Sequence, residues 1–176
     1  MFMSRGNCGI CALVFALTLA LVGTGWTQTT QPPSSDHAIL YQRAAGLLDQ
    51  AQQKLTAGDL TEANSLVKQA NALFTLLQKE YAAVLAERRL SPKEDQQLAI
   101  NQKLATDAQT QADALMATAA AKGKQARELE AQGQKEAATA AYRESREGYT
   151  QAQNLSIKSA IYALRNQQLL FHFLAP

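Results

Sequence analysis

Apolar residues recur along this chain in steps of three and four, a spacing that places them on one face of an α-helix. The first stripe consists of Tyr41, Ala44, Leu48, Ala51 and Leu55. The second contains larger side chains and consists of Ala63, Val67, Ala70, Phe74, Leu77, Tyr81 and Val84. The two stripes predict one helix over residues 37–57 and another over residues 60–90.

Two further stripes follow. The third consists of Leu98, Ala105, Ala108, Ala112, Leu115 and Ala119. The fourth consists of Ala138, Tyr142, Ser145, Tyr149, Ala152, Ile157, Ile161 and Leu164. They predict helices over 92–132 and 135–172. An alanine stripe allows close approach but buries little area. Gly123 weakens a helix by about 1 kcal/mol relative to alanine, so the third helix either continues or breaks locally there.

Each predicted helix is bounded by a turn signal. Gly58 and Gly133 suit the left-handed conformation that ends a helix. Asp59 and Glu62 have the spacing of a capping box, and so do Ser91 and Glu94, with proline at the first helical position between them. Connections this short favour antiparallel neighbours. The predicted fold is all-α, built of antiparallel long-helix hairpins that form either a bundle or an array.

The first 25 residues have the pattern of a secretory signal peptide. One arginine precedes an apolar run over 10–22, and small residues follow it. We expect cleavage near Gly25–Trp26, a polar linker over 26–36 and a helical domain over 37–176. The protein is then exported, either periplasmic or secreted. The alternative is an uncleaved anchor, which would be its route to membrane contact.

The hairpin units around Gly58 and Gly133 resemble tetratricopeptide repeats. With these glycines aligned, 75 residues apart, Ala51 matches Ala126 and Ala63 matches Ala138. The resemblance covers about 44–74 and 119–149 and implies close-packed helix pairs that present a binding face. The units lack the Trp–Leu–Gly start and the closing proline of that family, and their helices are about twice its usual length.

Composition and candidate chemistry narrow the function classes. The chain has 33 alanines and 20 glutamines, a formal charge of +2, and both of its cysteines, Cys8 and Cys11, lie within the signal segment. This charge balance gives no basis for nucleic-acid binding. The two histidines, His37 and His172, lack metal-binding spacing, and no phosphate loop or nucleophile motif occurs. We therefore expect no enzyme activity, no cofactor and no metal.

Candidate partner-binding residues come from two features. Tyr142 and Tyr149 lie a heptad apart and either line a groove or pack in the core. The second feature is an apolar tail that contains Leu170, Phe171 and Phe173. The residues of this tail cannot all face one side of a helix. We expect the tail either to dock over the alanine-rich face of the third helix or to contact a partner or a second copy.

Two functions fit these features. The first is an exported, non-catalytic helical protein that serves as an interaction or scaffold module of a bacterial cell envelope, with an unknown protein partner. The second is a periplasmic helical-bundle carrier of a small apolar ligand or cofactor, which needs an unfilled cavity beside the alanine stripe.

Overall fold

The computed structural model describes residues 35–175, and this part of the chain is helical without any strand. The helices are α1 (Ser35–Thr56), α2 (Leu60–Glu80), α3 (Ala82–Glu87), α4 (Pro92–Ala131) and α5 (Lys135–Leu170), followed by a 3-10 turn at His172–Leu174. The predicted all-α class is confirmed. The predicted signal peptide, its cleavage site and both cysteines lie outside the described residues.

The two glycine turns have the same conformation. Gly58 and Gly133 have φ angles of 82° and 76°, a region that glycine adopts without steric cost. The Asp59 N–H donates to the Lys54 carbonyl at 2.9 Å, and the Gln134 N–H donates to the Leu129 carbonyl at 3.0 Å. Each is the six-to-one bond of a Schellman motif, which satisfies a carbonyl that the helix end leaves open.

The predicted capping boxes differ in completeness. At Ser91 both halves form: its Oγ accepts from the Glu94 N–H, and the Glu94 carboxylate accepts from the Ser91 N–H. At Asp59 the side chain accepts from the Glu62 N–H at 3.1 Å, but Glu62 itself binds Lys54 Nζ at 2.7 Å. The reciprocal half predicted there is wrong, because an ammonium across the turn is a stronger donor than a backbone amide.

The prediction of one helix over 60–90 is also wrong, because α2 ends at Glu80 and α3 begins at Ala82. Tyr81 departs from helical geometry, with φ −107° and ψ 17°. Its ring lies edge-on to both His37, at 5.2 Å, and Phe173, at 5.6 Å. We attribute the break to these two contacts, since neither glycine nor proline interrupts the helix. No break occurs at Gly123, where α4 is continuous.

α5 contacts α1, α2 and α4 through different faces. Its large residues Ile157, Ile161 and Leu164 lie in one apolar core with residues of α1 and α2. Ser159 is buried too, but it bonds to α4. Positions two residues apart are separated by about 200° around a helix, so Ile157 and Ser159 point in nearly opposite directions. α5 is therefore the element that joins α1 and α2 to α4.

The α4–α5 seam is aligned by three side-chain hydrogen bonds. Ser145 and Ser159 donate from Oγ to the carbonyls of Ala119 and Ala105, each at 2.7 Å. Asn166 donates from Nδ2 to the Leu98 carbonyl at 3.3 Å. The donors rise by 14 and 7 residues while the acceptors fall by the same steps. The two helices therefore run in opposite directions in one fixed register.

The main core lies among α1, α2, the C-terminal half of α5 and the 3-10 turn. Its largest fully buried side chains are Phe74, Phe171, Leu48, Leu77 and Ile161. The stripes predicted for the first two helices supply most of this core. Five of the six buried residues of α4 are alanines, as the predicted stripe indicates.

We predict that Phe74→Ala lowers the free energy of unfolding by about 3–5 kcal/mol, because its ring is buried and lies 6.2 Å from the Phe171 ring. Chemical denaturation followed by circular dichroism measures this change. Leu76→Ala is the matched control on the same helix, since Leu76 is exposed. A similar small loss for both variants would contradict the burial of Phe74.

A second prediction uses two helical glycines. Gly46→Ala should raise the free energy of unfolding by about 0.5–1 kcal/mol, because a Cβ there meets nothing within 4 Å. Gly148→Ala should lose this gain and lower stability, because its Cβ would lie 3.0 Å from the Ala119 Cβ. Urea titration of both variants checks the difference in sign, and a stabilised Gly148→Ala protein would show that the seam can widen.

Candidate interaction surface

The turn between α1 and α2 lies beside the point where α4 and α5 continue without α1 and α2 against them. Gly58 and Leu60 line a cleft with Leu115 of α4 and with residues of α5 from Thr150 to Leu155. Beyond this level lies a two-helix segment, which we call the arm: residues 112–131 of α4 and 135–153 of α5. The buried residues of the arm are small, namely Ala112, Ala119, Ala126, Ala138, Ala141, Ser145 and Ala152.

Tyr142 and Tyr149 lie on the arm and are 41% and 47% exposed. Core packing, one of the two alternatives for them, is therefore wrong. Tyr142 donates its phenol hydrogen to the Glu130 carboxylate across the seam, at 2.9 Å. This bond is the main reason that the pKa of Tyr142 is raised, because the phenol must keep its proton to donate it. The carboxylate thereby orients the Tyr142 ring along the arm.

The face of α5 that carries Ile157, Ile161 and Leu164 becomes polar in the arm. Towards the N-terminus of α5, in steps of three or four residues, the same face carries Gln153, Thr150, Arg146, Arg143, Thr139 and Lys135. All six are exposed. Three are cations and none is an anion. The sequence reasoning missed this stripe, although its three- and four-residue spacing could have shown it.

Two carboxylates of the arm lie near lysines of α4 and not near the cations of the stripe. Glu144 binds Lys122 at 2.6 Å, and Glu128 lies 3.9 Å from Lys124. Glu136 and Glu147 flank the stripe on the side of α5 away from α4, by helical position. Within residues 35–175, no carboxylate lies within ion-pair distance of the three cations of the stripe, Lys135, Arg143 and Arg146.

Two shallow clefts adjoin this stripe and share Tyr149. One is lined by Thr139, Tyr142, Arg143, Ser145, Arg146 and Tyr149. The other is lined by Asn64, Met116, Tyr149, Gln153, Ser156, Ile157 and Ala160. Together they form a groove along one side of α5 that ends where α2 begins. The groove is open to solvent, with hydrogen-bond donors and two aromatic rings along it.

The C-terminal tail lies in the core. Phe171 is fully buried and stacks on Phe74 at 6.2 Å, so the prediction that Phe171 contacts a partner is wrong. Leu170 and Phe173 are half-buried. Docking over the alanine-rich face of α4 is wrong too, because small residues of α5 already fill that face. The large rings pack instead where α1 and α2 offer large apolar side chains.

Arg88 fastens the tail to the start of α4. Its guanidinium donates to the Leu169 and Leu170 carbonyls, the open acceptors at the end of α5, and binds Glu94 at 2.5 Å. It also lies 5.4 Å from the centre of the Phe173 ring. A cation at a helix C-terminus is favourable because the carbonyl end of the helix carries partial negative charge. Arg88 follows α3 in the chain but acts on the end of α5.

At two positions of the seam, α4 and α5 approach too closely to leave a cavity for an apolar ligand. A Cβ on Gly148 would meet Ala119 at 3.0 Å, and one on Gly123 would meet the Ser145 Oγ at 3.1 Å. Helices this close leave no ligand-sized space between them at these two positions. The cavity expected beside the alanine stripe is therefore not found there.

The described part of the chain shows no group of three or more His, Cys, Asp or Glu side chains that could hold a metal ion. Within residues 35–175, no helix has the length and apolar character needed to cross a membrane. Comparison with family models, curated proteins and solved structures finds no match for this chain.

We predict that deleting residues 171–176 lowers the melting temperature and leaves the protein monomeric, because the deletion removes the buried ring of Phe171 and the buried side chain of Leu174. Differential scanning calorimetry and light scattering measure the two effects. A truncated protein of unchanged stability would contradict the docked tail, whereas a wild-type dimer that dissociates on truncation would favour self-association.

Proposed function

We propose that this chain is an exported, non-catalytic helical protein of a cell envelope that presents the arm to a partner protein as an interaction or scaffold module. One observation carries the proposal: an aromatic and cationic face on a pair of packed helices, outside the core and not covered by the other described helices. Tyr and Arg are the residue types that most often contribute to binding at protein interfaces. The stripe lies on one long helix, α5, which packs along α4, so a partner would meet a preformed surface.

The proposal includes a finer description of the fold. The four long helices form two antiparallel hairpins, α1–α2 and α4–α5, that pack through α5 as a bundle or a short array. Support comes from the Schellman turns at Gly58 and Gly133, which share one conformation 75 residues apart. This likeness of turns is consistent with the resemblance to tetratricopeptide repeats, whose helix pairs also bind other proteins.

Export rests on the sequence pattern of residues 1–25. Cleavage near Gly25–Trp26 would leave a short polar linker before α1. The mature chain would then have no cysteine, so neither its fold nor its partner binding would depend on disulfides in an oxidising compartment.

We predict that N-terminal sequencing of the protein from its native host begins near Trp26, because the small residues before it form the cleavage site. Fractionation should place this form outside the cytoplasm. A soluble cytoplasmic protein that begins at Met1 would contradict export.

Partner binding is tested with a photo-crosslinking amino acid placed in the arm at Thr139 in the native host. The matched control carries the same amino acid at Gln53, which is exposed on α1. We expect a crosslinked protein, identified by mass spectrometry, at position 139 and not at position 53. Equal crosslinking at both positions, or no protein at either, would overturn the proposal.

A further inference from the structure

We propose that the arm binds an acidic amphipathic helix of the partner protein, and that Arg143 and Arg146 pair with its carboxylates between the rings of Tyr142 and Tyr149. This inference rests on the proposed function and adds the chemistry of the partner. Two observations support it, namely the charge of the exposed stripe and its continuity with an interface that already binds helices.

The exposed stripe of α5 carries three cations and no carboxylate. Lys135, Arg143 and Arg146 lie on one face of α5 within three turns, and none forms an ion pair with a described residue. Guanidinium groups bind carboxylates in a planar, two-bond geometry that a lysine cannot match. Carboxylates spaced three or four residues apart on a helix would meet Arg143 and Arg146 together.

One face of α5 runs without interruption from the core into the arm. In the C-terminal half, the same face packs against α1 and α2 through Ile157, Ile161 and Leu164. This face therefore already packs against helices, and it continues into the arm, where Gln153 is the first polar residue. A partner helix would lie along the arm roughly where the α1–α2 hairpin stops. Its apolar residues would contact the two tyrosine rings and Met116, which lines the groove.

The charge pattern also argues against a second copy as the occupant. A twofold contact through this face would place the same three cations against one another, since the stripe contains no carboxylate. Like charges brought together at an interface are unfavourable. Glu136 and Glu147 flank the stripe but lie to one side of it.

The first test uses a labelled synthetic helix with glutamates on one face and leucines beside them, and the same peptide with glutamines instead. Fluorescence anisotropy measures binding to the full mature chain. We expect the glutamate peptide to bind. The double variant Arg143→Gln/Arg146→Gln should raise the dissociation constant of this peptide by about fivefold to tenfold, which is the effect expected from the loss of two exposed or partly exposed ion pairs. Both variant positions are exposed, so folding should be unaffected.

The matched control is Lys68→Gln/Lys79→Gln, which removes the same charge from exposed positions on α2. It should leave the dissociation constant unchanged. Arg143→Glu/Arg146→Glu should lose the glutamate peptide and gain a peptide with lysines in place of the glutamates. The inference would be overturned if both glutamine variants weakened binding equally, or if the glutamine peptide bound as well as the glutamate peptide. It would also be overturned if the protein bound phosphatidylglycerol vesicles through these arginines more strongly than it bound the glutamate peptide.

The crosslinking experiment separates this inference from the proposed function. A crosslink from position 139 to a protein segment with acidic residues at helical spacing supports both. A crosslink to a segment without such acidic residues leaves the proposed function standing and overturns the acidic-helix inference. A crosslink between two copies of this chain also overturns it, and the absence of any protein crosslink overturns both.

Discussion

The structure depends on α5 having two different contact faces. One face carries small residues and lets α4 approach until a Cβ on Gly148 would meet Ala119 at 3.0 Å. The opposite face carries Ile157, Ile161 and Leu164, which form a core with α1 and α2. Dispersion and the burial of large apolar side chains stabilise the contacts of the second face. The small residues of the first face each bury little apolar area. Other interactions are therefore needed to fix the alignment of α4 against this first face of α5.

Those interactions are the hydrogen bonds from Ser145, Ser159 and Asn166 to α4 carbonyls. A serine hydroxyl between two closely packed helices would be costly if it were buried without a partner. Shifting α4 by one residue would break all three bonds together, so the seam is specified by polar groups more than by shape. Alanines alone could slide past one another with small loss of contact, which explains why the polar residues recur at multiples of seven positions.

Much of this fold follows from local sequence rules, and the departures have physical causes. The helix ends at Gly58, Ser91 and Gly133 follow from backbone chemistry, which depends on neighbouring residues. The break at Tyr81 and the burial of Phe171 depend on contacts between distant segments, which a periodic pattern does not contain. The candidate surface was half predictable: the heptad of Tyr142 and Tyr149 was recognised, but the stripe that contains Arg143 and Arg146 was missed. Only the structure shows which part of α5 is left uncovered by α1 and α2.

One face of α5 is apolar in the C-terminal half of the helix and polar in the arm, and this change affects how tightly a partner could bind. In the arm the face offers two aromatic rings and two guanidinium groups but no large aliphatic side chain until Ile157. Exposed ion pairs contribute at most about 1 kcal/mol each, and salt screens them. The rings of Tyr142 and Tyr149 would have to supply most of the affinity, while the cations set the orientation and the choice of partner. The helical backbone offsets part of the entropic cost of binding, because it already holds these groups at helical spacing. A surface of this kind suits a reversible, salt-sensitive contact better than a permanent one.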